Sequence, residues 1–159
     1  MLCQITSKKR NFAFMLSKKS KYAINALLYI ARMEGSGHPV MTSEIAESEN
    51  IPFKFLEAIL RDLKNVGILR SQRGRGGGYF LNQPAEEISL ARVMRLFDGP
   101  IALLPCVSLN YYRGCEECKD EANCAIRTVF LEIRINTLKT LNENTLAAIL
   151  KRETHLKRS

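Results

Sequence analysis

Four cysteines, Cys106, Cys115, Cys118 and Cys124, stand within 19 residues, spaced Cys-x8-Cys-x2-Cys-x5-Cys. Thiolates are soft ligands that suit iron–sulfur clusters and zinc. The N-terminal stretch does not read as a secretory signal, because Lys8, Lys9 and Arg10 precede only a short apolar run over 12–16. The expected compartment is therefore the cytoplasm. Thiols stay reduced there, so a group of four points to a metal or cluster before a disulfide framework. Only Cys115 and Cys118 form the C-x2-C pair that zinc commonly uses, whereas a cluster tolerates irregular spacing. Zinc, a Cys115–Cys118 disulfide switch and unligated thiols in a loop all stay open beside the cluster. Glu116, Glu117, Asp120 and Glu121 surround these sulfurs, and their negative charge should disfavour free thiolates. Cys3 lies far away and is treated as incidental.

A second group of residues has different chemistry. Arg73-Gly74-Arg75-Gly76-Gly77-Gly78 lies between two short β-prone runs, Ile68-Leu69-Arg70-Ser71-Gln72 and Tyr79-Phe80-Leu81. Glycines let a backbone approach closely and adopt positive φ, and the arginines place charge at the tip. Arginine is favoured in a narrow minor groove. A nucleotide cradle is the rival reading, but the G-x-G-x-x-G spacing and the following helix are both missing.

These groups need elements to position them. Tyr22, Ala23, Ala26, Leu27, Ile30 and Ala31 predict a helix from Ser17 to near Gly35. A short helix follows, with Thr42 as N-cap and Glu44 in its first turn. Asn50-Ile51-Pro52 breaks it, and a longer helix runs from Pro52 to Val66 before Gly67. In that longer helix Leu56, Ile59, Leu60 and Leu63 fall within roughly 100° of arc and form a buried stripe. Lys54, Ala58, Arg61 and Asn65 lie opposite, able to meet phosphates and base edges. Two helices joined by a tight turn, followed by strand–loop–strand, make a winged helix-turn-helix.

Ser89 should cap a helix through Phe97, which Asp98-Gly99-Pro100 ends. From Cys124 one long helix is expected, apolar on two sides. Ile126, Val129, Phe130, Ile133 and Thr137 form one stripe, and Leu131, Ile135, Leu138 and Leu141 the other. Such a helix must bury both sides, one on its own domain and one on a second subunit. A two-fold homodimer would set two recognition helices on a pseudo-palindromic site in double-stranded DNA.

The expected class is mainly α with a small β-wing. Residues 1–14 are expected to be a disordered extension, with Met15 a second possible start, and 15–86 the winged helix-turn-helix. A linker helix and Cys-rich sensor loop occupy 87–123, a dimerisation helix 124–151 and a basic tail 152–159. Charge agrees with this division: residues 1–80 carry 13 Lys/Arg against 6 Asp/Glu, a net +7, within a chain of net +8. With 159 residues, 46% hydrophobic and 25% charged, the chain can bury a core and is no disordered polyelectrolyte. No run of 18 uncharged apolar residues is present, so no membrane span is expected. No hydrolytic motif involves His38 or His155, and no βαβ context supports a redox enzyme or electron carrier built on Cys115 and Cys118. No enzyme is expected.

Leu16-Ser17-Lys18-Lys19-Ser20-Lys21-Tyr22-Ala23, Phe55-Leu56-Glu57-x-Ile59-Leu60-x-x-Leu63-Lys64-x-x-Gly67 and Arg73-Gly74-x-Gly76-Gly77-Gly78-Tyr79 together resemble the Rrf2 family of bacterial winged-helix repressors. Members include IscR-type iron–sulfur regulators and NsrR-type nitric-oxide sensors. The resemblance implies a recognition helix in the major groove and a wing in the minor groove. Lys54, Phe55, Glu57 and Arg73 match positions that contact DNA, and Ser43, Arg61, Arg75, Gly76 and Gly77 are assigned to the same interface. It also implies a homodimer through the long C-terminal helix and a cluster, [2Fe-2S] or [4Fe-4S], held by three cysteines. Cys106, Cys118 and Cys124 match these. Arg127 stands where cluster-binding members place a ligating histidine, so the fourth ligand is assigned to Cys115, with a carboxylate or a partner-subunit residue as alternatives.

Overall fold

A computed structural model describes residues 16–74, 76–118 and 120–157. The expectations for residues 1–14, Cys3 and Arg75 lie outside the described residues.

Ser17 opens the first helix, α1 (Lys18–Arg32), by accepting a hydrogen bond from the Ser20 N–H at 3.1 Å. The next helix, α2 (Thr42–Ser48), begins at the residue expected to be its cap. Met41 takes the cap position, and its N–H donates to Glu44 Oε2 at 2.9 Å. The Glu44 carboxylate thus reaches back to the N–H of the cap residue, and Thr42 is the first residue inside the helix. Asn50 turns the chain at φ +49, a left-handed conformation that asparagine tolerates. Pro52 caps α3 (Phe53–Asn65), and Gly67 at φ +74 ends it.

The strands β1 (Leu69–Gln72) and β2 (Gly78–Leu81) pair antiparallel, Leu69 opposite Leu81 and Gln72 opposite Gly78. Ser89 caps α4 (Leu90–Asp98), its Oγ accepting the Arg92 N–H at 3.3 Å. An irregular segment with one 3-10 turn at Pro105–Val107 then leads to α5 (Ala125–Glu143) and α6 (Leu146–Leu156).

The single helix expected over 124–151 is therefore two helices, and most of the expected tail is helical. Asn144 leaves helical geometry, and Thr145 caps α6 by accepting the Ala148 N–H at 3.3 Å. The break is fixed from outside. The Leu90 N–H donates to Asn144 O and the Leu146 N–H to Ile88 O, both at 3.0 Å, so the junction pairs with the start of α4. Leu146 is then fully buried in the main core.

That core joins Ala23, Leu27 and Ile30 of α1, Ile45 of α2, Leu56, Ile59, Leu60 and Leu63 of α3, Leu69 and Leu81 of the wing, Val93 of α4 and Leu146. Arg32 ties the far end of α1 to α6 and α2, with Glu153 at 2.8 Å and Glu49 at 3.2 Å. The Glu153 hydrogen bond raises the Arg32 pKa above its ordinary value. A separate small core gathers Ala102, Cys106 and Val107 under Phe130 and Leu131 of α5. Among the described residues no helix is long and apolar enough to cross a membrane.

Candidate functional site: the nucleic-acid interface and the cysteine segment

The stripe foreseen on α3 is buried as a unit: Leu56, Ile59, Leu60 and Leu63 are all fully enclosed. Burial of four aliphatic side chains fixes the rotation of the helix about its axis, at about 1.5–3 kcal/mol for each side chain. Lys54, Arg61 and Asn65 are consequently exposed and Ala58 half-buried, along with exposed Ser43 on α2 and exposed Phe55 and Glu57 on α3. Phe55 is steadied by Tyr22 of α1, edge to face with ring centroids 5.8 Å apart. Sequence reasoning counted Tyr22 only among the periodic residues of α1, and its pairing with Phe55 requires the tertiary fold.

Backbone geometry holds the wing beside that helix. Val40 and Tyr79 exchange two hydrogen bonds of 2.9 Å, joining the residue before the α2 cap to β2. A Cβ on Gly78 would lie 2.3 Å from Val40 O, so only glycine permits the approach. A Cβ on Gly77 would meet Gln72 O at 2.4 Å, which explains the second obligatory glycine. Gly76 has φ +82 and Arg73 is exposed. Arg70 of β1 stacks its guanidinium 4.1 Å from the Phe80 ring centroid. The Val40–Tyr79 clamp was missed from sequence. Its signal was a β-branched residue just after Gly37-His38-Pro39 and an aromatic just after the glycine run.

The cysteines are less unified. Cys106 is buried beneath α5, Cys115 is exposed, and Cys118 and Cys124 are intermediate; all four are free thiols. Cys124 is the N-cap of α5, and its Sγ accepts the Arg127 N–H at 3.4 Å. The Cys118 thiol donates to the Asp120 carbonyl oxygen at 3.4 Å. The Cys118 N–H reaches Cys115 O at 3.2 Å.

These contacts set the two acidities apart. The Arg127 amide at the helix N-terminus lowers the Cys124 pKa, and the contact with Cys124 raises that of Cys118. The expectation that surrounding carboxylates disfavour thiolates is therefore corrected at Cys124. There a backbone donor in contact outweighs solvated charges farther away. Those carboxylates are otherwise engaged: Glu121 accepts from the Tyr112 hydroxyl, raising the phenol's pKa, and Asp120 from Asn123, lowering its own.

Among the described residues no three histidine, cysteine or acidic side chains converge on a metal position. The donor types fit an iron–sulfur cluster, but their placement does not yet fit one.

The outer side of α5 carries Ile126, Val129 and Ile133 exposed, while Phe130, Leu131, Arg134, Leu138 and Leu141 lie on the half-buried side. The split differs from the expected stripes: Phe130 and Thr137 leave the first, and Ile135 leaves the second, being 54% exposed. Tertiary contact with the small core, rather than apolar periodicity, chooses the inner side.

Comparison with known proteins agrees with this architecture. The chain is 41% identical over 138 residues to an HTH-type transcriptional regulator described as rrf2-like from Rhodobacter capsulatus, covering 86% of this chain and 92% of the relative. It is 29% identical to the HTH-type transcriptional regulator IscR of Sodalis glossinidius, over 87% of this chain and 79% of that one. Among solved structures, CymR, the global cysteine regulator of B. subtilis, superposes with a TM-score of 0.72 at 26% identity, covering 88% of this chain and 98% of CymR. These relatives are transcriptional regulators and not enzymes. The Rrf2 family, described as iron-dependent transcriptional regulators, matches residues 16–152, and the chain belongs to it.

Proposed function

We propose that this Rrf2-family regulator is a cytoplasmic homodimeric repressor whose hold on a pseudo-palindromic operator is set by its cysteine segment. The observation that carries the reading is the shared placement of α3 and the wing. Burial of the α3 stripe turns Lys54 and Arg61 outward, and the Val40–Tyr79 bonds fix the wing alongside. Lys54, Phe55, Glu57 and Arg61 then address the major groove, with Ser43 at the backbone. Arg73, Arg75, Gly76 and Gly77 address the minor groove. The apolar outer side of α5 is the surface a second copy would cover, supported by the exposure of Ile126, Val129 and Ile133 on one flank.

An iron–sulfur cluster is the group that the four thiols favour by type. Cys106, Cys118 and Cys124, with Cys115 as fourth, would supply the thiolates, after a rearrangement that brings them together. The group would supply sensitivity to redox state, nitric oxide or cluster supply. The chain's own part is mechanical. The segment 99–124 runs from α4 to α5, so its order sets how the dimer helix sits relative to the DNA-binding half.

A second reading, thiol sensing without metal, is favoured by the Cys118–Cys124 contact and the lowered pKa of Cys124. Structural zinc is the remaining alternative. Anaerobic purification with iron, sulfide and zinc analysis separates the three. Iron and sulfide with visible absorbance, lost in the Cys106, Cys118 and Cys124→Ala triple variant, are the expected result. Stoichiometric zinc or a metal-free chain still bound to operator would overturn the cluster.

A further inference from the structure

A cavity of about 150 Å³ lies between α4, α5 and the irregular segment that joins them. Arg95 of α4 and Arg134 of α5 both line it, with Tyr111, Asn110 and Ser108, and no acidic residue is present in its wall. Pro100, Ile101 and Leu138 supply an apolar floor. Among the described residues Lys19 pairs with Asp62 and Arg32 with Glu49 and Glu153, and neither of these basic side chains lines the cavity. Among the described residues neither Arg95 nor Arg134 has an ion pair or hydrogen bond. Two cations from different helices facing one cavity repel each other, and an anion between them reverses the sign of that interaction.

The wall is built by specific backbone. Gly99, at φ +85 and ψ −145, makes the turn out of α4 that only glycine adopts freely. The Ser108 Oγ accepts the Tyr111 N–H at 3.2 Å, which fixes the turn that brings Ser108, Asn110 and Tyr111 into the wall. We propose that this cavity binds a small oxyanion, a carboxylate or phosphate, through the guanidinium groups of Arg95 and Arg134. Guanidinium forks match both groups in a bidentate manner. The volume is below the roughly 300–1,000 Å³ of sites for drug-sized ligands, so the ligand is of amino-acid size. The apolar floor suits a short aliphatic chain.

The site is independent of the cysteines and of the DNA-contacting residues, so it can fail while the regulatory reading stands. It also bears on the fold's mechanics. Asp98, the last residue of α4, accepts the Ser20 hydroxyl at 2.6 Å, so a ligand bridging α4 and α5 sits one turn from the contact between α4 and α1.

The test is calorimetric titration of the full chain at constant ionic strength with succinate, inorganic phosphate and neutral succinamide. Saturable binding of succinate or phosphate at about 1 mM or tighter is expected, with none for succinamide. Whichever anion binds more tightly identifies the carboxylate or the phosphate class. The Arg95→Gln/Arg134→Gln variant should weaken binding at least about tenfold while binding operator as before. Arg95→Gln alone, on an exposed side chain, tests the claim if the double variant fails to fold. Equal binding of succinamide, no saturable anion binding, or unchanged affinity in the variants would overturn the site.

Discussion

From Ser17 to Leu81 each α-helix presents at least one fully buried aliphatic residue, and the strands close onto them through Leu69 and Leu81. The 19-residue α5 is the longest helix, yet none of its residues is buried. The first region is held by interdigitated side chains that leave its outward residues little freedom. The second, from Gly99 through α5, is held by a small core around Cys106 and by a few polar contacts. A tightly packed reading head is thus joined to a loosely packed segment, which is where the proposed thiol chemistry, second subunit and anion would each act. Segments of low local stability are where switching elements are found.

The contrast can be broken most directly by paired truncations. Leu60→Ala in α3 should cost about 2–5 kcal/mol in denaturant unfolding, and Ile133→Ala on the exposed side of α5 within about 0.5 kcal/mol at protein concentrations too low for association. Equal losses would mean that α5 is as firmly packed as the reading head. At higher concentration Ile133→Asp should shift sedimentation toward the single subunit.

Next in size is Arg73→Ala, expected to weaken operator binding by about 1–3 kcal/mol with no change in melting temperature. Gly78→Ala should cost about 1–3 kcal/mol of stability, because its Cβ would collide with Val40 O, whereas Gly35→Ala meets open space and should be close to neutral.

The cysteine segment offers a pH test. Cys124, with its pKa lowered by the Arg127 amide, should be alkylated by iodoacetamide before Cys118, whose pKa is raised by the contact between them. The stability contributions have opposite signs. The Cys124 contribution is present above the unfolded thiol pKa and lost as pH falls through its folded value. That of Cys118 is present below the unfolded value and lost as pH rises through its folded one. Selectivity for Cys124 should therefore be greatest below the ordinary thiol pKa and shrink as pH rises, while melting temperature stays nearly flat. Labelling of Cys118 first would remove the acidified-cap description. The smallest effect is Glu153→Gln, at most about 1 kcal/mol, because the Arg32–Glu153 pair is partly exposed.

Much of the reading head was legible because its rules are local. The α3 stripe follows from Leu56, Ile59, Leu60 and Leu63 at helical spacing, and the hairpin from a glycine run between two β-prone segments. Gly67 and Ser89 announced their caps. The cap of α2 was misplaced because Glu44 reaches back to Met41, a contact that competes with the local choice of Thr42. The break after Glu143 was also illegible. Leu141 and Leu146 continue the apolar run, and only the pairing of Asn144 and Leu146 with the start of α4 stops the helix.

The four cysteines could be found from sequence but not arranged. Their spacing names the donors, yet the small core draws Cys106 inward while Cys124 caps a helix and Cys115 stays in solvent. Arg95 and Arg134 are 39 positions apart and carry no motif, so nothing along the chain relates them. Residue types and near-neighbour spacing thus determined which groups exist and how each helix is patterned, because those forces act over one or two turns. Folding alone decided which distant groups face each other, because that depends on buried surfaces closing over long stretches of chain.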